Sequence, residues 1–178
     1  MATGATIHRA ELAIADMDRG YYADHTLTIA RHPSETVERM MLRLLAFAFF
    51  ADPALQFGRG LSTMDEPDLW QHDDAGQLLR WIDVGLPDER RLRKACGRAA
   101  EVVVLAYGGS RAQAWWKRSA AALARLDRLV VYCVPPDACA ALEALAGRTM
   151  RLAVSIQDGQ AWVGAGSASA EVRLQRLR

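Results

Sequence analysis

Hydrophobic and polar positions change their spacing several times along the chain, and each change marks an element. Residues 6–15 set Ile7, Leu12 and Ile14 among polar residues in a loose alternation, and residues 21–30 alternate again with Thr and Tyr prominent. Asp16-Met17-Asp18-Arg19-Gly20 between them is turn chemistry, so the two stretches predict a β-hairpin. After Pro33 the spacing lengthens to three and four. Val37, Met40, Met41, Leu44, Leu45 and Ala48 form the stripe of a buried helix, with Ser34 expected as its N-cap and Glu35 and Glu38 in its first turns. Asp52-Pro53 stops that helix.

The rest of the chain returns to short periods and then mixes them. Residues 55–61 predict a weak strand broken by Gly58 and Gly60. Residues 69–72 and 78–84 predict two strands joined by the turn Asp73-Asp74-Ala75-Gly76. Pro87 suits the first turn of a helix, with Asp88 and Glu89 at its positive end. Leu92, Ala95, Cys96 and Ala99 make its buried face; Arg91, Lys94 and Arg98 form the adjoining stripe, flanked by Arg90 and Arg93. The apolar run 101–107 predicts a central strand of a parallel or mixed sheet. Gly108-Gly109-Ser110 leads into a helix over 111–126, with Ser110 as N-cap. A buried strand at 129–134, an Ala-rich helix at 138–146 ended by Gly147, and a hairpin of 150–156 with 160–163 around Asp158-Gly159 follow. Residues 164–169 read as a loop and 171–177 as a last short strand or tail. The pattern predicts an α/β fold: a mixed central sheet flanked by helices, with an N-terminal hairpin and C-terminal α/β additions.

Composition narrows the class. At 178 residues the chain is the size of one domain, taken as 1–178 with its core at about 34–107, and 51% hydrophobic residues suffice for a packed interior. A net charge of +1 gives no overall field for nucleic acid but leaves room for a local basic patch. Cys96, Cys133 and Cys139 are odd in number and lack metal spacing, so they predict buried thiols rather than a disulfide framework or zinc site. His25 and His32 have no second ligand at metal spacing and read as sheet or loop residues. The first twenty residues lack the apolar stretch of a signal peptide, and the longest apolar run, 44–51, is too short to span a bilayer. The expectation is a cytoplasmic protein with no membrane association. No Ser–His–Asp order, dinucleotide-binding glycine pattern or HExxH motif is present.

Acids stand at three particular points. Glu38 lies on the first helix, Asp68 at the start of the second core strand and Asp83 near the end of the third. Asp68 and Asp83 fall on strands joined by a hairpin, so their carboxylates could reach one hard cation. Mg²⁺ uses one or two carboxylates with waters and substrate phosphate completing its shell. Asp83 reads equally well as a salt-bridge partner of Arg90 or Arg91 that fixes the strand–helix turn.

From residue 34 the order is helix, three strands, helix, strand. This arrangement resembles the PD-(D/E)xK nuclease superfamily and its restriction-endonuclease-like αβββαβ core. Pro67-Asp68 looks like the PD, Asp83-Val84-Gly85 like the (D/E)xK without its lysine, and Glu38 like the acid many members carry on the first helix. More closely, Arg31-His32-Pro33-Ser34-Glu35-Thr36, Glu38-Arg39-Met40-Met41-Leu42-Arg43-Leu44-Leu45-Ala46, Leu86-Pro87-Asp88-Glu89-Arg90-Arg91 and Ile156-Gln157-Asp158-Gly159 resemble the bacterial YaeQ family. The superfamily likeness implies a Mg²⁺-dependent phosphodiesterase acting on DNA or RNA. Glu38, Asp68 and Asp83 would hold the metal, and a cation from the next helix would replace the missing lysine beside Asp68 and Asp83: Lys94 is the favoured candidate for its flexible stem, with Arg91 and Arg90 as the others. Arg90, Arg91 and Arg98 would meet nucleic acid. The alternative is a non-catalytic module on the same fold that binds nucleic acid or a protein partner.

Overall fold

The structure is a computed structural model and describes residues 4–61 and 63–178. In chain order the elements are β1 (Thr6–Asp16), β2 (Tyr21–Arg31), α1 (Val37–Phe49), β3 (Leu55–Phe57), β4 (Leu69–His72), β5 (Leu78–Val84), α2 (Glu89–Arg98) and β6 (Glu101–Ala106). These are followed by α3 (Ser110–Leu123), β7 (Leu129–Cys133), α4 (Pro136–Glu143), β8 (Thr149–Gln157), β9 (Gln160–Ala165), β10 (Ala168–Arg173) and β11 (Gln175–Arg176). Between residues 37 and 106 the order is helix, three strands, helix, strand.

The fold has two sheets rather than one. The first runs β11-β7-β6-β5-β4-β3; β5, β6 and β7 are parallel, and β3 and β4 add antiparallel neighbours. The second runs β10-β9-β8-β1-β2. The expected N-terminal hairpin and the C-terminal strands are therefore not separate additions. β1 pairs parallel with β8, Leu12 opposite Leu152, and joins them into one layer. The stretch at 164–169 continues β9 and opens β10. Alternation carries no information about partner, so the pairing of residues 9–16 with 149–156 could not be read along the chain.

Helices α1 and α4 fill the space between the sheets. Their main core joins the inner face of β1, β8 and β9 to α1 and to one face of β5 and β6 through Ile82, Val84, Val103 and Leu105. The opposite face of that sheet, with Trp81, Val102 and Val104, packs on Leu92 of α2 and on Trp115 and Leu123 of α3. The layers are thus sheet, helices, sheet, helices. Every residue of α1 from Met40 to Ala48 is buried, the mark of a helix surrounded on all sides.

Several boundaries differ from expectation for local reasons. Thr36, not Ser34, caps α1 by accepting from the Arg39 amide, while Ser34 Oγ bonds the His32 ring. Asp88 caps α2 by accepting from the Arg91 amide, which leaves Pro87 outside the helix. Gly109 at φ +58 occupies the N-cap of α3, and Ser110 is its first residue. Residues 58–61 continue as loop after β3. Among the described residues no helix is long and apolar enough to cross a membrane. All three cysteines are free, and burial pushes the Cys139 thiol up to about 12.

An ion pair is buried beside α1. Arg43 and Glu35 side chains are each 2% exposed. Arg43 Nε and Nη2 donate to Glu35 Oε1 and Oε2 at 2.8 and 2.7 Å, and Nη2 also reaches Ala30 O at 2.8 Å. Removing one partner leaves the other buried and uncompensated. Arg43→Met is expected to lower unfolding free energy by about 3–5 kcal/mol, measured by urea denaturation, and Arg43→Met with Glu35→Leu to lose less than the two single changes together.

A candidate site where strands β4 and β5 meet helix α1

β4 and β5 are antiparallel, with Leu69 opposite Ile82. Asp68, one residue earlier, therefore lies beside Asp83, one residue later. Both are buried, at 7% and 3% exposure. With Arg39 and Arg91 they line a pocket of about 330 Å³ under the β3–β4 loop and the turn after β5. A larger pocket of about 500 Å³ lies against the second sheet between β1, β2 and β8. Its charged residues Glu11, Asp24 and Arg151 are exposed, so the smaller pocket with its buried charges is the better candidate.

Two anchors hold Asp68. Arg39 Nη2 donates to its Oδ1 at 2.6 Å, and the Val84 amide donates to Oδ2 at 2.7 Å. Arg39 comes from the first turn of α1 and also donates to Glu35 Oε1 and Val84 O. A continuous chain of charges thus runs Arg43–Glu35–Arg39–Asp68. Burial pushes the Asp68 carboxyl up from its ordinary range; Arg39 pulls it down, and the neighbouring Asp83 charge adds to the rise. Gly58 supports the same residue from behind. Its amide donates to Asp68 O at 2.9 Å, and a Cβ there would sit 2.0 Å from Pro67 O.

Arg91 saturates Asp83. Its Nε and Nη2 donate to Oδ2 and Oδ1 at 2.7 and 2.9 Å. The same guanidinium donates to Glu66 O and Met64 O and lies 5.4 Å over the Trp81 ring. It sits inside a cage of four oxygens, two carboxylate and two carbonyl.

The other expected residues lie elsewhere. Lys94 Nζ donates to Asp65 Oδ1 at 2.6 Å on the surface and is not among the pocket's lining residues. Arg98 donates to Asp65 O at 3.2 Å and lies 5.2 Å over Trp81. The stripe Arg91, Lys94, Arg98 therefore grips residues 64–66 of the β3–β4 loop. Arg90 is exposed. Glu38 is half-buried and does not line the pocket. Burial raises its carboxyl from the usual range, and Glu143 of α4 adds to the rise. Gly85 has φ +133, a conformation that strains any side chain, lysine included. Among the described residues no group of three or more His, Cys, Asp or Glu could hold a metal. Asp68 and Asp83 remain as a carboxylate pair.

The family profile described as YaeQ protein matches residues 1–174. The chain belongs to the YaeQ family. It is 46% identical over 174 residues to the YaeQ proteins of Escherichia coli (strain K12) and Salmonella typhi, covering 98% of this chain and 96% of each relative. The crystal structure of YaeQ from Xanthomonas axonopodis pv. citri superimposes with a TM-score of 0.95 at 53% identity, covering 98% of both chains. The Pseudomonas syringae YaeQ crystal structure gives 0.91 at 41% identity, covering 98% of this chain and 96% of that one. At this coverage the likeness includes both sheets, so the two-sheet arrangement is common to these family members.

Reading the chain alone missed Arg39 and Glu35 as parts of the site and took Gly58 only as a strand breaker. A signal for the first two was present: Glu35, just before the helix, and Arg39 and Arg43 within it recur every four residues beside a run of apolar side chains. Cations at such positions need buried anions. The raised Asp68 carboxyl has a measurable consequence. The folded protein holds this proton above the unfolded value of about 3.9, so the group's contribution is full below that value and is lost as pH rises through its folded pKa. Relative to wild type, Asp68→Asn should therefore gain stability between pH 4 and pH 7, read from denaturation curves at the two pH values. A difference that stays constant or moves the other way contradicts this electrostatic account.

Proposed function

We propose that the protein is a nuclease-like phosphodiesterase acting on DNA or RNA, with Asp68 and Asp83 holding Mg²⁺. One observation carries the reading: two buried carboxylates on adjoining strands share one pocket with two guanidinium groups. The element order between residues 37 and 106 supports a restriction-endonuclease-like core of the PD-(D/E)xK kind. The donor chemistry fits Mg²⁺. Two carboxylates are enough when water and phosphate complete the shell, and a cation would relieve the burial and mutual repulsion that raise Asp68.

When bound, the ion neutralises phosphodiester charge and lowers the pKa of a bound water. The protein's own groups divide the remaining work. Arg39 and the Val84 amide fix both oxygens of Asp68. Arg91 must release Asp83 before the carboxylate can take an ion, and its planar fork then suits a phosphate oxygen pair. Arg91 takes the role expected of Lys94, because it alone of the α2 stripe lines the pocket.

A second reading has its own observation. In this structure Arg91 fills the oxygen cage, so the site is charge-balanced without a metal. On that reading the pocket is structural and the domain binds nucleic acid or a protein without cutting.

Metal titration and cleavage assays on single- and double-stranded DNA and RNA separate the two. The proposal expects Mg²⁺ or Mn²⁺ binding, metal-dependent cleavage, and a loss of about 100-fold or more in metal affinity or activity with Asp83→Asn. Arg91→Gln, which empties the cage, should bind Mn²⁺ more tightly than wild type. Absence of metal binding and cleavage in wild type, with binding of nucleic acid retained in EDTA, would establish the second reading instead.

A further inference from the structure

Charge is unevenly divided along this chain. Residues 1–85 hold seven Lys or Arg against thirteen Asp or Glu, whereas residues 86–135 hold ten against four. A net charge of +1 conceals this split. The second segment forms α2, β6, α3 and β7, and its two helices make the outermost layer, on the side of the sheet away from β1 and β2.

Two groups stand out among the cations of that layer. Arg91, Lys94 and Arg98 turn toward residues 64–66 and are engaged there. Arg90, Arg111 and Arg118 are exposed and have no carboxylate partner among the described residues. Arg111, Trp115 and Arg118 stand at i, i+4 and i+7 and so share one side of α3. Trp115 Nε1 donates to Pro87 O at 2.9 Å, which turns that side toward the head of α2. Arg90 and Arg93 stand one turn apart on the exposed part of α2. At the far end of the seam Arg128 donates to Cys96 O and Ala99 O.

The acids of the segment barely oppose this. Asp88 caps α2, Glu89 pairs with Arg93, and Glu101 pairs with Arg80 across β5 and β6. Asp127 is the remaining one.

We infer that the seam between α2 and α3 is a track for the phosphate backbone of a nucleic acid, contacted by Arg90, Arg111 and Arg118. It deepens the nucleic-acid part of the reading above but lies outside the pocket. Seven helical residues span about 10 Å, a length that sets Arg111 and Arg118 against separate phosphates of one strand. A membrane partner is disfavoured because, among the described residues, none of the exposed large hydrophobic side chains lies on α2 or α3 to anchor it. An acidic protein partner is disfavoured because α2 and α3 expose no large aromatic or aliphatic side chain to centre a stable interface.

The test uses the full chain, fluorescein-labelled 20-base-pair DNA, and single-stranded DNA and RNA of the same length, in EDTA at several salt concentrations. Binding should weaken steeply with salt. The variant Arg90→Glu/Arg111→Glu/Arg118→Glu should bind duplex at least tenfold more weakly, with a log–log salt slope shallower by about 2–3. Arg9→Glu/Arg148→Glu/Arg151→Glu changes net charge equally on the other sheet and should stay within about threefold of wild type. The corresponding Gln variants remove charge without adding repulsion and carry the test if the Glu triple melts early. Equal weakening by both triples, no nucleic-acid binding by wild type, or equally strong binding to phosphatidylserine vesicles would overturn the track. Metal binding and cleavage play no part in this readout, so it stands or falls separately from the phosphodiesterase reading.

Discussion

A helix wedged between two sheets has no solvent-facing side, and α1 nevertheless carries Arg43 in its interior. The pairing of that guanidinium with Glu35 is the constraint on which the site depends. Burying each ion alone would cost several kcal/mol, and their attraction offsets this only when every donor finds an acceptor. Here Nε and Nη2 reach Glu35 and Ala30 O, and the guanidinium lies 5.7 Å over the Phe57 ring. Glu35 is held at the same time by Arg39, and Arg39 by Asp68 and Val84 O. One buried charge in the core therefore fixes the position of a carboxylate at a pocket across the sheet. Movement of α1 would be felt at Asp68 through two guanidinium groups rather than through loose apolar contacts.

The second carboxylate is fixed from the opposite layer. Asp83 follows Trp81 on the face of β5 that packs on α2 and α3, and Arg91 of α2 chelates it while lying over the Trp81 ring. The pocket thus sits where groups from both helical layers meet at one end of the same sheet, Arg39 from the inner layer and Arg91 from the outer. Each carboxylate has its own guanidinium. In this arrangement the two buried negative charges are balanced by the protein's own cations.

Much of this was legible along the chain. The bounds of β4 and β5, the basic helix after them and the apolar strand β6 follow from period and turn chemistry, and Asp68 and Asp83 were found because antiparallel neighbours joined by a hairpin must lie side by side. Glu38 and Lys94 were less legible. A helical position states which residues share a face but not which neighbour that face meets: Glu38 has Glu143 nearby, and Lys94 meets Asp65, on a loop twenty-nine residues earlier. Gly85 was recognised as lacking a lysine. Its backbone at φ +133 is a conformation that strains any side chain, so a lysine is disfavoured there.

The sequence by itself determined the family, the order of elements and the pair of acids, since these depend on local spacing and on contiguous blocks of residues. Tertiary structure decided the rest. It joined β1 to β8 across more than one hundred residues, surrounded α1, and gave Arg91, Lys94 and Arg98 of α2 their particular oxygens. The physical reason is that long-range pairing and ion-pair choice depend on which surfaces are brought together. The stretch from Asp68 to Asp83 names its carboxylates; only packing names the arginines that hold them.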